Sequence, residues 1–361
     1  MVKKRLSLRI AEALVLFGTR IDKYTDGNGK ISHMKWIPPF RAYRALTTNA
    51  AAATPSCTAG DWFHPADLPS GLVVGTDYTV YDMGGFWADM YLCSSSDATT
   101  ASMGTVASTG TAAYISQPGV APRVSQTIAH FKTYLSQRFA SGGFGNASNG
   151  TWATKGGLMT DQHWFEIWIW TRINRWFLRG NTNGYYAADH IPVYHADPGE
   201  IGVVDGSQLS AYGASVTGGG PLSWDIPISD FCGNRWEFVD GLRLYNGIIY
   251  TAGKSINPPG SYSDPAYTNT GLTIAVAPGN SVDSYRTENA LALHGIAASI
   301  TTAGTGQFDG AGTWHTQTDE RVAIRGGASD YGAQCPGAFN MGHIFSDLRW
   351  YIGARAVLDP R

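Results

Sequence analysis

Five residues close together, Asp189, His190, His195, Asp197 and Glu200, have the types and spacing to fold around a divalent cation. Imidazole and carboxylate are the usual ligands of such ions. Loop histidines and carboxylates also serve as solvated or capping groups, and the expectation is that no metal or cofactor is held. Thr25-Asp-Gly-Asn-Gly-Lys30 has the look of a calcium loop but lacks the full ligand series and the closing glutamate, so it reads as a tight turn. Cys57, Cys93, Cys232 and Cys335 are scattered and form no CxxC pair, which argues against structural zinc; the first three could supply one disulfide that spacing cannot assign. Serines and histidines are plentiful, yet no nucleophile-elbow motif accompanies them. The chain reads as a non-enzyme.

The C-terminal stretch is different. Arg325-Gly-Gly-Ala-Ser-Asp-Tyr-Gly-Ala-Gln-Cys-Pro-Gly-Ala-Phe339 leads into an irregular run from Asn340 to Tyr351, then Ile352-Gly-Ala-Arg355. Gly326, Gly327, Gly332, Gly337, Gly342 and Gly353 form a frame that is expected to supply turns. Between them stand Ala328, Ser329, Asp330, Tyr331, Cys335, Asn340, His343, Ile344, Phe345, Asp347, Arg349, Trp350 and Tyr351, with neither helical nor strand periodicity. A core does not tolerate Asp347 and Arg349 beside Phe345 and Trp350 without dedicated partners. A binding face does, because aromatics and arginine are enriched at contact hot spots. These thirteen residues are the candidate ligand-binding set.

The elements that must position them are legible in outline. Of 361 residues, 43% are hydrophobic and 15% charged, enough for a large core and unlike a disordered chain. A net charge of −2 gives no electrostatic reason to expect nucleic acid or an anionic membrane as partner. Forty-four glycines suit a loop-rich protein. Residues 5–17 form an amphipathic helix candidate carrying Leu6, Ile10, Leu14 and Phe17 on one stripe. Met34–Phe40 reads as an edge strand ended by proline, and Tyr78–Tyr81 and Phe86–Leu92 as further strands. Residues 94–115 read as a long surface loop. Ser125 is expected to cap a helix with Ile128, Phe131, Leu135 and Phe139 inward, and a second helix from Thr160-Asp161 to Arg179 is apolar on nearly every side, hence buried. Asn246-Gly247 between apolar alternations predicts a tight hairpin. A helix over Glu288–Ser299 and closing strands at Arg321–Ile324 and Tyr351–Leu358 complete the reading. No run approaches the ~20 apolar residues that span a bilayer. Arg9, Glu12 and Arg20 interrupt the N-terminal apolar stretch, so neither a signal peptide nor a transmembrane segment is expected.

Four segments, in this order, resemble one family. Gly156-Gly-Leu-Met-Thr-Asp161 with Trp164, Leu178-Arg-Gly-Asn-Thr-Asn-Gly184, Gly233-Asn-Arg-Trp-Glu-Phe-Val-Asp-Gly-Leu-Arg243 and the Arg325–Arg355 glycine frame resemble the variable proteins of diversity-generating retroelements, of the formylglycine-generating-enzyme-like subtype carried by phages and archaeal viruses. The resemblance covers roughly residues 34–358. It implies an α+β C-type lectin fold with two helices, small antiparallel sheets and long loops. It divides the chain into an N-terminal extension over 1–33 and a lectin domain over 34–361, with a variable region at about 322–355.

The resemblance also implies a function. A reverse transcriptase rewrites adenines in a copy of the coding segment, and the protein presents the altered residues to a protein or glycan on a host or target surface. It would sit on a virion tail or fibre, or on a cell surface, with oligomeric state open. Asn codons mutated at adenine reach most of the residue types present; Gln334, Met341 and Trp350 need other template codons or are constant, and Ala354 stands where the family often has Phe. The glycine frame, rather than the changing side chains, is expected to hold the loops. Two alternatives remain. A calcium-independent carbohydrate-binding lectin is one, since the paired calcium motifs of sugar-binding lectins are absent. A formylglycine-generating-type oxidase is the other, but Cys335 alone cannot provide paired thiol chemistry.

Overall fold

A computed structural model describes residues 21–49, 57, 59–99, 102–105, 113–144, 155–173, 228, 231, 233, 235–274, 282–285, 287–288, 290–300, 313–316, 318–327 and 339–360. The fold is mixed α+β, with two α-helices among many antiparallel strands in those residues. The amphipathic segment 5–17 and the cluster at 189–200 lie outside them.

The expected hairpin is the centre of the larger sheet. β11 (Trp236–Tyr245) and β12 (Ile248–Thr251) pair through Tyr245 and Ile248, and Asn246 and Gly247 both take positive φ (48° and 81°) as a type I′ turn requires. Around them lie β13 (Thr268–Thr273), β17 (Glu320–Arg325), β18 (Phe339–His343) and β16 (Thr313–His315), giving the order β13-β12-β11-β17-β18-β16, while β19 (Ile352–Ala354) pairs parallel with the first half of β11. The register between β11 and β17 jumps at Asp240–Leu242, where Gly241 has φ +75°. This bulge exchanges the faces: Trp236 and Phe238 pack with Val322, Ile324 and Ile352, whereas Leu242 and Leu244 pack in the second core with Ile249.

A six-stranded sheet runs β10 (Gly156–Leu158), β20 (Ala356–Leu358), β6 (Phe86–Asp89), β2 (Ile31–Ile37), β1 (Ile21–Asp26) and β9 (Gly142–Phe144). β2 is therefore an interior strand rather than an edge; Pro38 and Pro39 fall just after it, where no ladder donor is needed. Residue 33, the expected edge of the lectin domain, lies within β2, whose partner β1 precedes it. The Thr25–Lys30 turn joins these two strands, and the Asp26 carboxylate accepts from the Asn28 and Lys30 amides. Smaller sheets are formed by β3 (Phe40–Ala45), β4 (Trp62–Phe63) and β5 (Tyr78–Met83), by β7 (Cys93–Ser94) with β8 (Ile115–Ser116), and by β14 (Val282–Tyr285) with β15 (Ala297–Ile300).

Three local expectations are corrected. The ends of the 94–115 stretch are buried and paired as β7 and β8, so it is no simple surface loop. Segment 288–299 is not a helix: isolated turns at Leu291 and His294 lead through Gly295, at φ +52°, into β15. A Cβ at Gly295 would meet the Phe165 ring, which binds this turn to the core. Helix α1 (Ile128–Gln137) is capped by Thr127, whose hydroxyl accepts from the His130 amide, while Ser125 takes the left-handed conformation at φ 56°. Cys57 and Cys93 are buried free thiols.

Helix α2 (Asp161–Ile173) is buried as its composition demands, with Trp164, Phe165, Ile167, Trp168, Ile169 and Trp170 in the core. Its two acidic residues are each partnered. Asp161 Oδ1 accepts from Arg325 Nε at 2.7 Å, and its Oδ2 lies 2.8 Å from His294 Nδ1. Burial alone would push the Asp161 carboxyl up; Arg325 and His294 outweigh it and hold it below its ordinary value. Glu166 takes Lys254 Nζ at 2.6 Å and the Gly84 amide at 2.9 Å. No helix among the described residues is long and apolar enough to cross a membrane.

Candidate binding surface

The irregular run begins inside β18, with Asn340–His343, and from Ile344 to Tyr351 it is the connection between β18, which pairs with β17, and β19, which crosses to β11. The chain leaves the sheet at His343, turns with the Asp347 amide donating to the Ile344 carbonyl (3.1 Å), and returns with the Trp236 amide donating to the Tyr351 carbonyl (2.9 Å). The Ser125 amide donates to the Arg349 carbonyl at 3.0 Å, which ties the middle of the segment to the entry of α1. Backbone bonds therefore hold both its end and its centre.

On this path the side chains divide. Ile344 (37%), Leu348 (61%) and Trp350 (48%) are exposed large hydrophobics, with Ser346 and Arg349 exposed beside them. Trp350 lies over the buried guanidinium of Arg235 at 5.3 Å and meets Tyr351 edge-on at 5.4 Å. A cation beneath an aromatic ring fixes the ring while leaving its other face to solvent. Leu348 was not in the candidate set, although it is as irregularly placed as its neighbours; a leucine flanked by Asp347 and Arg349 on a non-periodic run was the available signal.

Other members are not solvent-facing. His343 is 9% exposed, and its Nδ1 lies 2.8 Å from Asp347 Oδ2, which also accepts from the Ile344 amide at 3.3 Å. Burial lowers the His343 pKa, and Asp347 offsets this only in part, so the ring is neutral at physiological pH. Arg349 reaches the other Asp347 oxygen at 3.5 Å. Phe345 is half-buried, with the Arg243 guanidinium 4.6 Å from its ring centre, and Arg243 is itself paired with Asp240. Tyr351 is half-buried against the core that contains Trp236. Asn340 lies in β18, where its Oδ1 accepts from the Gly342 amide. The expected single patch is thus an exposed crest of Ile344, Leu348, Arg349 and Trp350 on an inner row of His343, Phe345, Asp347 and Tyr351. Ala328, Ser329, Asp330, Tyr331 and Cys335 lie outside the described residues.

The glycine frame is also not uniform. Gly326 and Gly327 have positive φ (86° and 72°), as a turn after β17 requires. Gly342 and Gly353 lie inside strands, and Gly353 serves close approach, since a Cβ there would lie 3.4 Å from the Arg123 carbonyl oxygen. Among the described residues no group of three or more His, Cys, Asp or Glu is placed to hold a metal ion.

No protein-family model matches the sequence, and a search of curated proteins found no match. Solved structures that match include the P3c, I1 and M1 variants of a Major Tropism Determinant, at 12%, 13% and 13% identity, each covering 94% of this chain and 71% of the other. Their TM-scores are 0.25, 0.26 and 0.22, far too low for the folds to superpose as wholes.

Proposed function

We propose that this protein is a non-enzymatic recognition protein with a C-type lectin fold, whose β18–β19 connection binds a protein or glycan on a host or target surface. The family resemblance of the four sequence segments supports the fold and the setting on a virion or cell surface. One observation carries the binding role: Ile344, Leu348 and Trp350 stand exposed on a single connection whose backbone is bonded to β11 and to Ser125, just before α1. Exposed apolar side chains grouped in this way mark interaction sites. Because backbone bonds anchor the segment, its outer side chains can change without loss of the fold, which suits diversification by a retroelement.

The test is retention of candidate host-surface material by wild type and by Leu348→Ser and Trp350→Ala. Loss of retention by variants that remain folded is the expected result; full retention by both overturns the reading. A second copy of the 322–355 coding segment, differing only at adenines, would be the genetic counterpart.

A further inference from the structure

Beyond the bulge in β11, the large sheet presents a second surface that owes nothing to the irregular run. Tyr245 ends β11, Tyr250 lies on β12, and Asn269 stands opposite Tyr250 on β13, while Glu320 stands opposite Tyr245 on β17. Tyr262, from the loop after β12, stacks on Tyr245 with ring centres 3.8 Å apart and planes 11° apart, and meets Tyr250 edge-on at 5.1 Å. All three rings are partly exposed and Asn269 is exposed.

The cluster is built rather than incidental. Glu320 Oε1 accepts from the Tyr262 amide at 2.7 Å and its Oε2 from the Ser261 hydroxyl at 3.2 Å, so the sheet holds the loop that carries the third ring. Asn269 Nδ2 donates to the Tyr250 hydroxyl at 3.2 Å, and Asn269 Oδ1 accepts from the Gly271 amide at 2.8 Å. The amide therefore keeps a second N–H, and the Tyr250 hydroxyl keeps its own proton, both to offer outward.

We propose that Tyr245, Tyr250, Tyr262 and Asn269 form a fixed, calcium-independent binding platform for a neutral hexopyranose. Ring faces suit the apolar C–H face of a pyranose, and the two outward donors match its hydroxyl and ring oxygens. An apolar peptide would leave those donors unpaired, at a cost in affinity. The Glu320 carboxylate beside the phenols disfavours an anionic sugar. The site is separate from the exposed crest of the β18–β19 connection, so it stands or falls independently of the function proposed above. Arg243 lies between the two surfaces, with its Nε 4.0 Å from Glu320 Oε1 and its guanidinium against Phe345.

The experiment is saturation-transfer NMR and calorimetry on the full chain in EDTA, with the methyl glycosides of glucose, galactose and mannose, and with sialic acid as the anionic arm. The expected result is transfer to the C–H protons of at least one neutral glycoside and none to sialic acid. Tyr262→Ala should abolish the signal, and Tyr250→Phe, which keeps the ring and loses the donor, should weaken binding by about three- to tenfold. If Tyr262→Ala does not fold, Asn269→Ala takes its place with the same expectation. Silence from all three neutral glycosides, preference for sialic acid, or unchanged binding by folded variants overturns the proposal.

Discussion

His343 and Asp347, four residues apart where the chain leaves β18, are joined ring nitrogen to carboxylate at 2.8 Å. The same Asp347 oxygen accepts from the Ile344 amide. The irregular segment is therefore held not by glycines and backbone alone but also by one of its own side chains. Asp347→Asn should leave global stability near wild type yet loosen the turn. NMR titration would show the His343 pKa falling further, because the group that partly offsets its burial is weakened. An unchanged His343 titration would mean the pair does not persist in solution.

The core and the crest should respond oppositely to truncation. Trp168→Ala, deep in α2, should cost ~3–5 kcal/mol of stability. Arg349→Ala, whose side chain is half exposed and whose ion pair with Asp347 is a long one at 3.5 Å, should stay within about 0.5 kcal/mol. Paired thermal or urea melts decide this, and equal losses would refute the division.

For binding, Leu348→Ser and Trp350→Ala should lower affinity for the surface partner by ~2 kcal/mol or more if either is a central contact. Leu348→Ser should melt close to wild type, since its side chain projects to solvent. Trp350→Ala and Phe345→Ala should both lose some stability, because they uncover the Arg235 and Arg243 guanidinium groups respectively.

Breaking the ion pair at the start of α2 should be costly. Asp161→Asn leaves Arg325 buried without its countercharge, and loss of one partner of such a pair destabilises by ~3–5 kcal/mol. Chemical denaturation of this variant, with Arg325→Met as a hydrophobic replacement, measures it.

Stability should also fall on mild acidification. His163 and His343 are both lowered from an ordinary 6.5, chiefly by burial, so the unfolded chain binds protons that the folded one refuses. Their contribution is full above about 6.5 and declines as pH falls below it. Melts at pH 7.5 and 5.5 should differ by more in wild type than in His163→Gln.

What the sequence determined by itself was whatever depends on near neighbours or on composition. The apolar girdle of α2 required burial on every side, and Asn246-Gly247 required a tight hairpin whatever surrounded it. The lack of periodicity marked a connection from Ile344 to Tyr351, but it hid the strand over Asn340–His343, which pairs with β16 and β17. What only the tertiary structure decided was how distant residues meet. Ser125 lost the cap to Thr127 because Ser125 takes a left-handed conformation and bonds the Arg349 carbonyl. Segment 288–299 has a passable helical pattern, but Gly295 packs on Phe165 and the His294 carbonyl accepts from Arg325, so a turn prevails. Within the candidate surface, sequence could not separate Trp350 from His343 or find Leu348. Exposure there depends on Arg235, Arg243 and the path of β11, about a hundred residues away in the chain, and spacing within the run carries no record of them.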